Sequence, residues 1–176
     1  MFGAIDDDAW RQVNDPAVQP PEARACLIAL MDRYERPLFK FVYLIAGDAD
    51  VTSDCVQETF VRAYVNLTKS KPVTTSWLYK VARNLAIDEQ RRRRRRAGEE
   101  ALERVPAPGS GLDIGPAMRQ AFARLTPDER TLLYLAAVEG RGAAEIAAIL
   151  GIKPTAVRMR ISRARERFRL AYGGGM

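Results

Sequence analysis

Arginine is the residue type whose number and spacing carry chemistry in this chain. Six stand in a row at Arg91–Arg96, and six more (Arg158, Arg160, Arg163, Arg165, Arg167 and Arg169) recur near the C-terminus. A guanidinium pairs through two parallel hydrogen bonds with phosphate oxygens or with the O6/N7 edge of guanine. Two such groups suit a nucleic acid. Asp54, Glu58 and Asp88 offer a rival chemistry, metal-assisted attack on nucleic acid, but they fall in stretches where acids are balanced by bases, and the chain has no histidine. That absence excludes imidazole acid–base catalysis, Ser-His-Asp and Cys-His dyads and His-containing zinc sites. Cys26 and Cys55 are 29 positions apart with no CxxC pair. This speaks against a disulfide scaffold and fits a reducing cytoplasm. We expect no catalytic residues, no cofactor and no metal.

These groups need elements to position them, and the composition supplies the means. The chain has 176 residues, 47% of them apolar, enough for one domain or two small ones. The longest apolar runs, Phe41 to Ala46 and Leu132 to Val138, are far shorter than the roughly 20 residues of a membrane helix. The N-terminus is acidic, unlike a signal peptide. A cytoplasmic protein with no membrane insertion is expected. The formal charge of +6 is unevenly spread: residues 72–96 and 141–176 each carry eight bases against two acids, whereas 1–21 and 97–117 each carry one base against four acids. Two basic blocks separated by an acidic stretch are the footprint of two nucleic-acid contacts held by two modules.

Residues 1–21 read as an acidic, disordered tail ending in Pro20-Pro21. In 22–46, Leu27, Leu30, Met31, Tyr34, Leu38, Phe41, Val42 and Ile45 recur at helical spacing. Pro37 is a candidate kink or division. A second helix follows Gly47, capped by Asp48 or Asp50, with Val51, Cys55, Phe60, Tyr64 and Leu67 inward. Lys69 to Ser76 is a polar loop, and Ser76 is the candidate cap of a third helix that runs into the arginines. Pro106, Pro108, Gly109 and Gly111 mark a linker at 97–113, and nothing in it fixes the distance between its neighbours. Beyond it, Ile114, Met118, Phe122 and Leu125 share a helix face. Thr126-Pro127-Asp128-Glu129 is a capping-box start, for a helix predicted to reach Gly140. No strand pattern is present.

The sharpest local signal is a helix–turn–helix at 141–170. The first helix should bury Ile146, Ala147 and Leu150, with Ala147 and Ala148 allowing close crossing and Gly151 supplying the turn. Val157, Ile161, Ala164 and Phe168 step by 4, 3 and 4 along the last helix, and Arg158, Met159, Arg160, Arg163 and Arg165 face away. Such a helix places side chains against base edges in the major groove. Trp77 and Tyr79 are candidates to stack on unpaired bases, with Trp77 assigned mainly to packing, while Arg83 and Arg91–Arg96 would hold phosphates.

Asp54-Cys-Val-Gln57-Glu58-Thr-Phe60, followed by Trp77-Leu-Tyr-Lys-Val-Ala-Arg83-Asn84-Leu-Ala-Ile-Asp88-Glu-Gln-Arg91-Arg92, resembles region two of the bacterial sigma factors. Leu125-Thr-Pro-Asp-Glu-Arg130, Ala144 to Ile152 and Val157 to Arg165 resemble region four. With these two regions alone, the chain resembles the extracytoplasmic-function (ECF) group. The resemblance implies that Asp54, Gln57 and Glu58 dock on the β′ subunit of core RNA polymerase. It implies that the loop containing Lys69, Ser70, Lys71, Thr74, Thr75 and Ser76 captures a flipped base of the −10 element, with Trp77, Arg83, Asn84, Asp88, Arg91 and Arg92 on the helix behind it. It implies that Arg158, Met159, Arg160 and Arg163 read the −35 element. The partners implied are the β′ and β subunits of the polymerase, promoter DNA and an anti-sigma factor. The chain departs from the family at Lys153, where a small cap is usual, at Ala156, usually Thr, and at Met159, often small and polar.

The expected architecture is all-α: a tail (1–21), a region-two domain (22–96), a flexible linker (97–113) and a region-four domain (114–172) containing the helix–turn–helix. The expected function is that of an ECF-type sigma factor, not an enzyme. A stand-alone helix–turn–helix regulator is the alternative.

Overall fold

The computed structural model describes residues 20–97 and 115–173. The tail before Pro20 and most of the expected linker lie outside the described residues, as does Ile114. Among the described residues every regular element is a helix.

Pro20-Pro21 do not end the tail but open α1 (Pro20–Ala46). Proline suits a first turn, where its missing N–H would have no helical partner anyway. Pro37 lies inside α1 without dividing it. The first half of α1 buries a narrow stripe, Ala23, Leu30 and Tyr34, but Phe41, Val42, Tyr43, Leu44 and Ile45 are each at most 2% exposed. A run buried all round cannot be covered from one side. Gly47, at φ 69°, ends the helix. Asp48 then caps α2 (Ala49–Thr68), its Oδ1 accepting from Val51 N at 3.1 Å. Tyr64, expected inward, is 37% exposed. Helix α3 (Thr75–Ala97) starts earlier than expected: Thr74, not Ser76, is its cap, with Oγ1 accepting from Trp77 N at 3.2 Å. The reason is packing: Val73 and Thr75 are buried, and Thr75 Oγ1 lies 3.0 Å from the Tyr34 hydroxyl. Helices α1, α2 and α3 pack on one another as one helical domain.

The second domain comprises α4 (Pro116–Ala123), α5 (Pro127–Leu133), a π turn (Tyr134–Val138), α6 (Ala143–Leu150) and α7 (Pro154–Gly173). Thr126 and Glu129 form the expected capping box. The helix after it does not stay α-helical to Gly140. Its last residues widen into the π turn, Glu139 N donating to Tyr134 O at 3.1 Å and Arg141 N to Leu135 O at 2.9 Å. The widening leaves both Tyr134 and Leu135 buried.

The two domains are docked, and one hydrophobic core runs through both, joining Leu38, Phe41, Leu44 and Tyr79 to Leu132, Tyr134, Leu135 and Ile146. The Tyr134 ring lies 5.6 Å from that of Phe41, and its hydroxyl donates to Pro37 O at 3.3 Å. Helix α6 packs on α3. Arg130 is 1% exposed. Its guanidinium donates to Phe122 O (2.8 Å) and Ala123 O (2.9 Å) at the end of α4, and to Leu44 O (3.4 Å) near the end of α1. Helix C-termini carry unpaired carbonyls and a partial negative charge, so they favour a cation. The distance between the domains is thus set by packing, where the linker sequence fixes none.

Arg130→Ala should destabilise the protein by about 3 kcal/mol, because buried carbonyls lose charged donors. Thr126→Ala should cost about 1 kcal/mol, the usual value of a lost cap. Urea denaturation followed by circular dichroism checks both, and their order is the expected outcome.

Candidate nucleic-acid interface

Helix α7 owes its position to the turn before it. Gly151 adopts a left-handed φ of 68° and its N–H donates to Ala147 O, closing α6. Ile146, Ala147 and Ile149 are buried, and α6 packs on both α3 and α7. Leu150 is only half-buried and Ala148 is exposed, so the close crossing uses Ala147 alone, and Ile149 takes the core position. Val157 and Ala164 are fully buried, with Ile161 and Phe168 half-buried behind them. The Phe168 ring packs 4.9 Å from Phe122 of α4. The opposite face exposes Arg158, Met159, Arg160 and Arg163 together, with Arg165 and Arg169 beyond. Met159 is 60% exposed, an apolar tip between guanidinium groups. Two arginines of this basic block turn elsewhere. Arg167 pairs with Glu129 at 2.6 Å. Arg141, 9% exposed, lies over the Tyr79 ring at 4.7 Å and donates to Glu145 at 3.0 Å.

The loop before α3 splits in the same way. Ser70 holds a left-handed φ of 53°, and the N–H groups of Lys69 and Lys71 both donate to Asn66 O. That tight turn exposes Lys69, Lys71 and Thr74 and leaves Ser70, Ser76 and Trp77 half-buried. Thr75 faces the core against Tyr34, so its hydroxyl does not reach solvent with the others. Tyr79 is fully buried, its ring 5.0 Å from Phe41. Burial, with Glu139 nearby, pushes its hydroxyl pKa well above the usual tyrosine value. A base cannot stack on Tyr79 in this arrangement.

Along α3, Asn84, Asp88, Arg91 and Arg92 are exposed on one helical face, and Arg95 continues it. Asp88, Arg91, Arg92 and Arg95 line one open cleft. Arg83 is set apart: it pairs with Asp128 of the second domain, and Nη1 is 3.4 Å from Asn84 Oδ1. Arg93, counted with the phosphate-holding run, points inward. It donates to Asp48 Oδ2 at 2.9 Å, while Gln90 Nε2 donates to Ile45 O at 3.3 Å. These two bonds stitch the end of α3 to the corner between α1 and α2, and Arg93 is spent on holding the helix that displays its neighbours.

A third surface lies on α2. Asp54 and Gln57 are exposed, and Glu58 pairs with Arg62 at 2.7 Å. Val61, Tyr64 and Val65 are exposed beside them, Val61 at 57%. The sequence reading missed this apolar extension. The signal was available: residues 54, 57, 58, 61 and 65 fall on one helix face. Cys55 points the other way, and burial, then Glu89 and Asp54, push its thiol up to about 11, so it is protonated and inert at neutral pH. Among the described residues, no group of three or more His, Cys, Asp or Glu side chains is placed to hold a metal. Nor is any described helix long and apolar enough to cross a membrane.

Residues 30–96 match the family model of sigma-70 region 2, and residues 116–168 that of sigma-70 region 4. The ECF RNA polymerase sigma factor SigE of Mycolicibacterium smegmatis is 31% identical over 80% of this chain, which spans 59% of that protein. SigW of Bacillus subtilis is 29% identical over 80% of this chain and 85% of its own length. SigL of Mycobacterium tuberculosis is 30% identical over 83% of this chain and 88% of its own. Two solved structures share the fold. One is the sigma factor RpoE in complex with the anti-sigma factor NepR from Bartonella quintana (TM-score 0.62, 24% identity, 80% of this chain and 92% of that one). The other is CnrH in complex with the cytosolic domain of CnrY (TM-score 0.67, 22% identity, 96% of this chain and 100% of that one).

The arginine run should separate by role. Arg93→Ala should lower stability by about 0.5–1 kcal/mol, the range of a partly exposed ion pair, whereas Arg95→Ala should leave the urea midpoint unchanged. In DNA titrations Arg95→Ala should reduce the slope of log K against log salt by about 0.9, one phosphate contact.

Proposed function

The chain belongs to the ECF group of bacterial RNA polymerase sigma factors, and on that premise we propose that its first domain binds core polymerase and the −10 element while its second reads the −35 element. The observation that carries the reading is the face of α7. Arg158, Met159, Arg160 and Arg163 project together from a helix seated by Val157 and Ala164 on a helix–turn–helix partner. Arginine there reads guanine in the major groove, and Met159 offers apolar contact to a thymine methyl. The protein acts by binding and is not an enzyme; its work is to position the polymerase and to favour open DNA.

On the first domain, Lys69, Lys71 and Thr74 stand clear of the core at the tip of a tight turn, suited to a strand that leaves the duplex. Trp77 backs that loop from the packed side. Asn84, Asp88, Arg91, Arg92 and Arg95 form a rail of about 16 Å along α3, at 1.5 Å per residue, on which a phosphate backbone can lie. Arg83 belongs to this surface once released from Asp128. Asp54, Gln57 and Glu58 supply hydrogen-bond acceptors to an arginine-rich face of the β′ subunit, and Val61 and Val65 add apolar area beside them. The β subunit would hold the second domain. An anti-sigma factor is a further partner, in keeping with the two complexes whose fold the chain shares. All of these partners place the protein in the cytoplasm. A stand-alone regulator would leave the acidic and apolar face of α2 without a use.

In transcription assays with core enzyme, start sites should map downstream of paired −35 and −10 elements. Arg158→Ala or Arg163→Ala should cost about 1–3 kcal/mol of promoter recognition and relax preference in the upstream element. Gln57→Ala with Glu58→Lys should weaken a core-polymerase pull-down while leaving the helical signal intact. Permanganate reactivity of unpaired thymines should need core enzyme and fall when residues 69–76 are replaced by a Gly/Ser segment; melting indifferent to that loop would overturn its role.

A further inference from the structure

We infer that Glu129 is a positioning residue for the −35-reading helix: its carboxylate holds Arg167 and so fixes the angle at which α7 presents Arg158, Met159, Arg160 and Arg163. The inference deepens the proposed function and rests on its assignment of α7 to the −35 element. Glu129 serves two helices at once. Its Oε2 accepts from Thr126 N at 3.0 Å, closing the capping box of α5, and its Oε1 accepts from Arg167 Nη1 at 2.6 Å. The Glu129 side chain is 14% exposed and that of Arg167 64%. The acid is therefore set in place by its own cap, and the long cationic arm comes to it from the solvent side. Arg160, Arg163 and Arg167 lie along one edge of α7, spaced by three and four. The first two are exposed, whereas the third is turned aside onto Glu129.

The need for such a hold follows from what else seats α7. Val157 and Ala164 are buried, and Phe168 packs on Phe122. Apolar contact is non-directional, and Ala164 offers only a methyl group, so these contacts resist lifting of the helix more than its rocking. A charged hydrogen bond is directional. Arg158 lies about 13.5 Å along the helix from Arg167, and a rock of about 5° about that anchor would carry Arg158 through about 1 Å. A constellation loose by that much loses the two-bond match between guanidinium and guanine. The pair has a second effect. Arg167 on a phosphate would add affinity for every sequence alike, so holding it on Glu129 removes a contact that carries no sequence information.

The test joins core polymerase to the full chain carrying Glu129→Gln, Arg167→Ala, Arg167→Lys, or Glu129→Gln with Arg167→Ala. Glutamine keeps the capping box, because its amide oxygen also accepts from the cap N–H. For each protein, affinity for a promoter duplex is divided by affinity for the same duplex with a scrambled upstream element. The ratio should fall about three- to fivefold in Glu129→Gln and in Arg167→Ala, the effect of one partly exposed ion pair. It should fall no further in the double variant, and Arg167→Lys, which keeps a cation for the acid, should restore most of it. The slope of log K against log salt should not change in Arg167→Ala. It should steepen by about 0.9 in Glu129→Gln, as the released guanidinium takes a phosphate, and return to the wild-type value in the double variant. Without DNA, nitroxide side chains introduced as unnatural amino acids at the exposed positions Arg124 and Thr155 should give a broader distance distribution in both single variants than in wild type. An unchanged ratio in Arg167→Ala, a slope about 0.9 shallower in that variant, or distributions of equal width would each sink the inference. A wild-type ratio near one would instead overturn the assignment of α7 to the −35 element, while the distributions would still show whether Glu129 holds the helix.

Discussion

The Arg130 guanidinium satisfies carbonyls at the C-terminal ends of two helices, Phe122 and Ala123 from its own domain and Leu44 from 86 positions earlier. Much else depends on that placement. A charge buried to 1% exposure is tolerable only where every donor meets an acceptor. The requirement fixes α5 against the end of α1. With α5 in place, Tyr134 covers Phe41 and α6 lies along α3, carrying Arg141 onto Tyr79. The helix–turn–helix then hangs from the π turn that follows α5. One polar residue thus sets the relation between the domains, and the apolar surfaces they share supply most of the energy that holds it.

Local signals were legible in the sequence wherever a single helix answers them. The Thr126–Glu129 capping box, the Gly151 turn and the stripe Val157–Ala164 all rest on neighbouring residues, and all stand as read. The errors fall where a distant segment decides. Ser76 had the right chemistry for a cap, but Tyr34, 41 positions before Thr75, pins the chain so that Thr74 takes the role. Tyr79 had the right position for a base platform, but Arg141 and Phe41 enclose it. Phe41, Val42 and Ile45 belong by spacing to one inward face, but the whole run Phe41 to Ile45 is buried. Its meaning is that both sides of α1 are covered there, which a period-3.6 reading of one helix has no means to show.

Arginine shows how far composition misleads about availability. Counted by position, the two basic blocks are equivalent. Counted by what each side chain touches, they divide into groups open to a polyanion (Arg95, Arg158, Arg160, Arg163, with Arg91 and Arg92 exposed beside Asp88 and Glu89 of their own helix) and groups spent on the fold (Arg93 on Asp48, Arg141 on Tyr79), as Arg130, outside both blocks, is spent on helix ends. Arg83 and Arg167 are held in ion pairs to adjacent acids of α5. The planar, permanently charged guanidinium suits all three uses, which is why a run of identical letters carries unlike roles.

The span between Leu44 and Arg130 also has a meaning in time. The chain leaves the ribosome from its N-terminus, and the first domain is complete well before α5 exists. At about 5–20 residues per second, the roughly 55 residues between Tyr79 and Tyr134 take on the order of 3–11 s to make. Through that interval the nascent first domain presents Phe41, Leu44 and Tyr79 without their later cover. Newly made protein therefore passes through an uncovered form that the finished molecule reaches only by coming apart, and whatever meets the chain at birth encounters a surface that the mature protein hides.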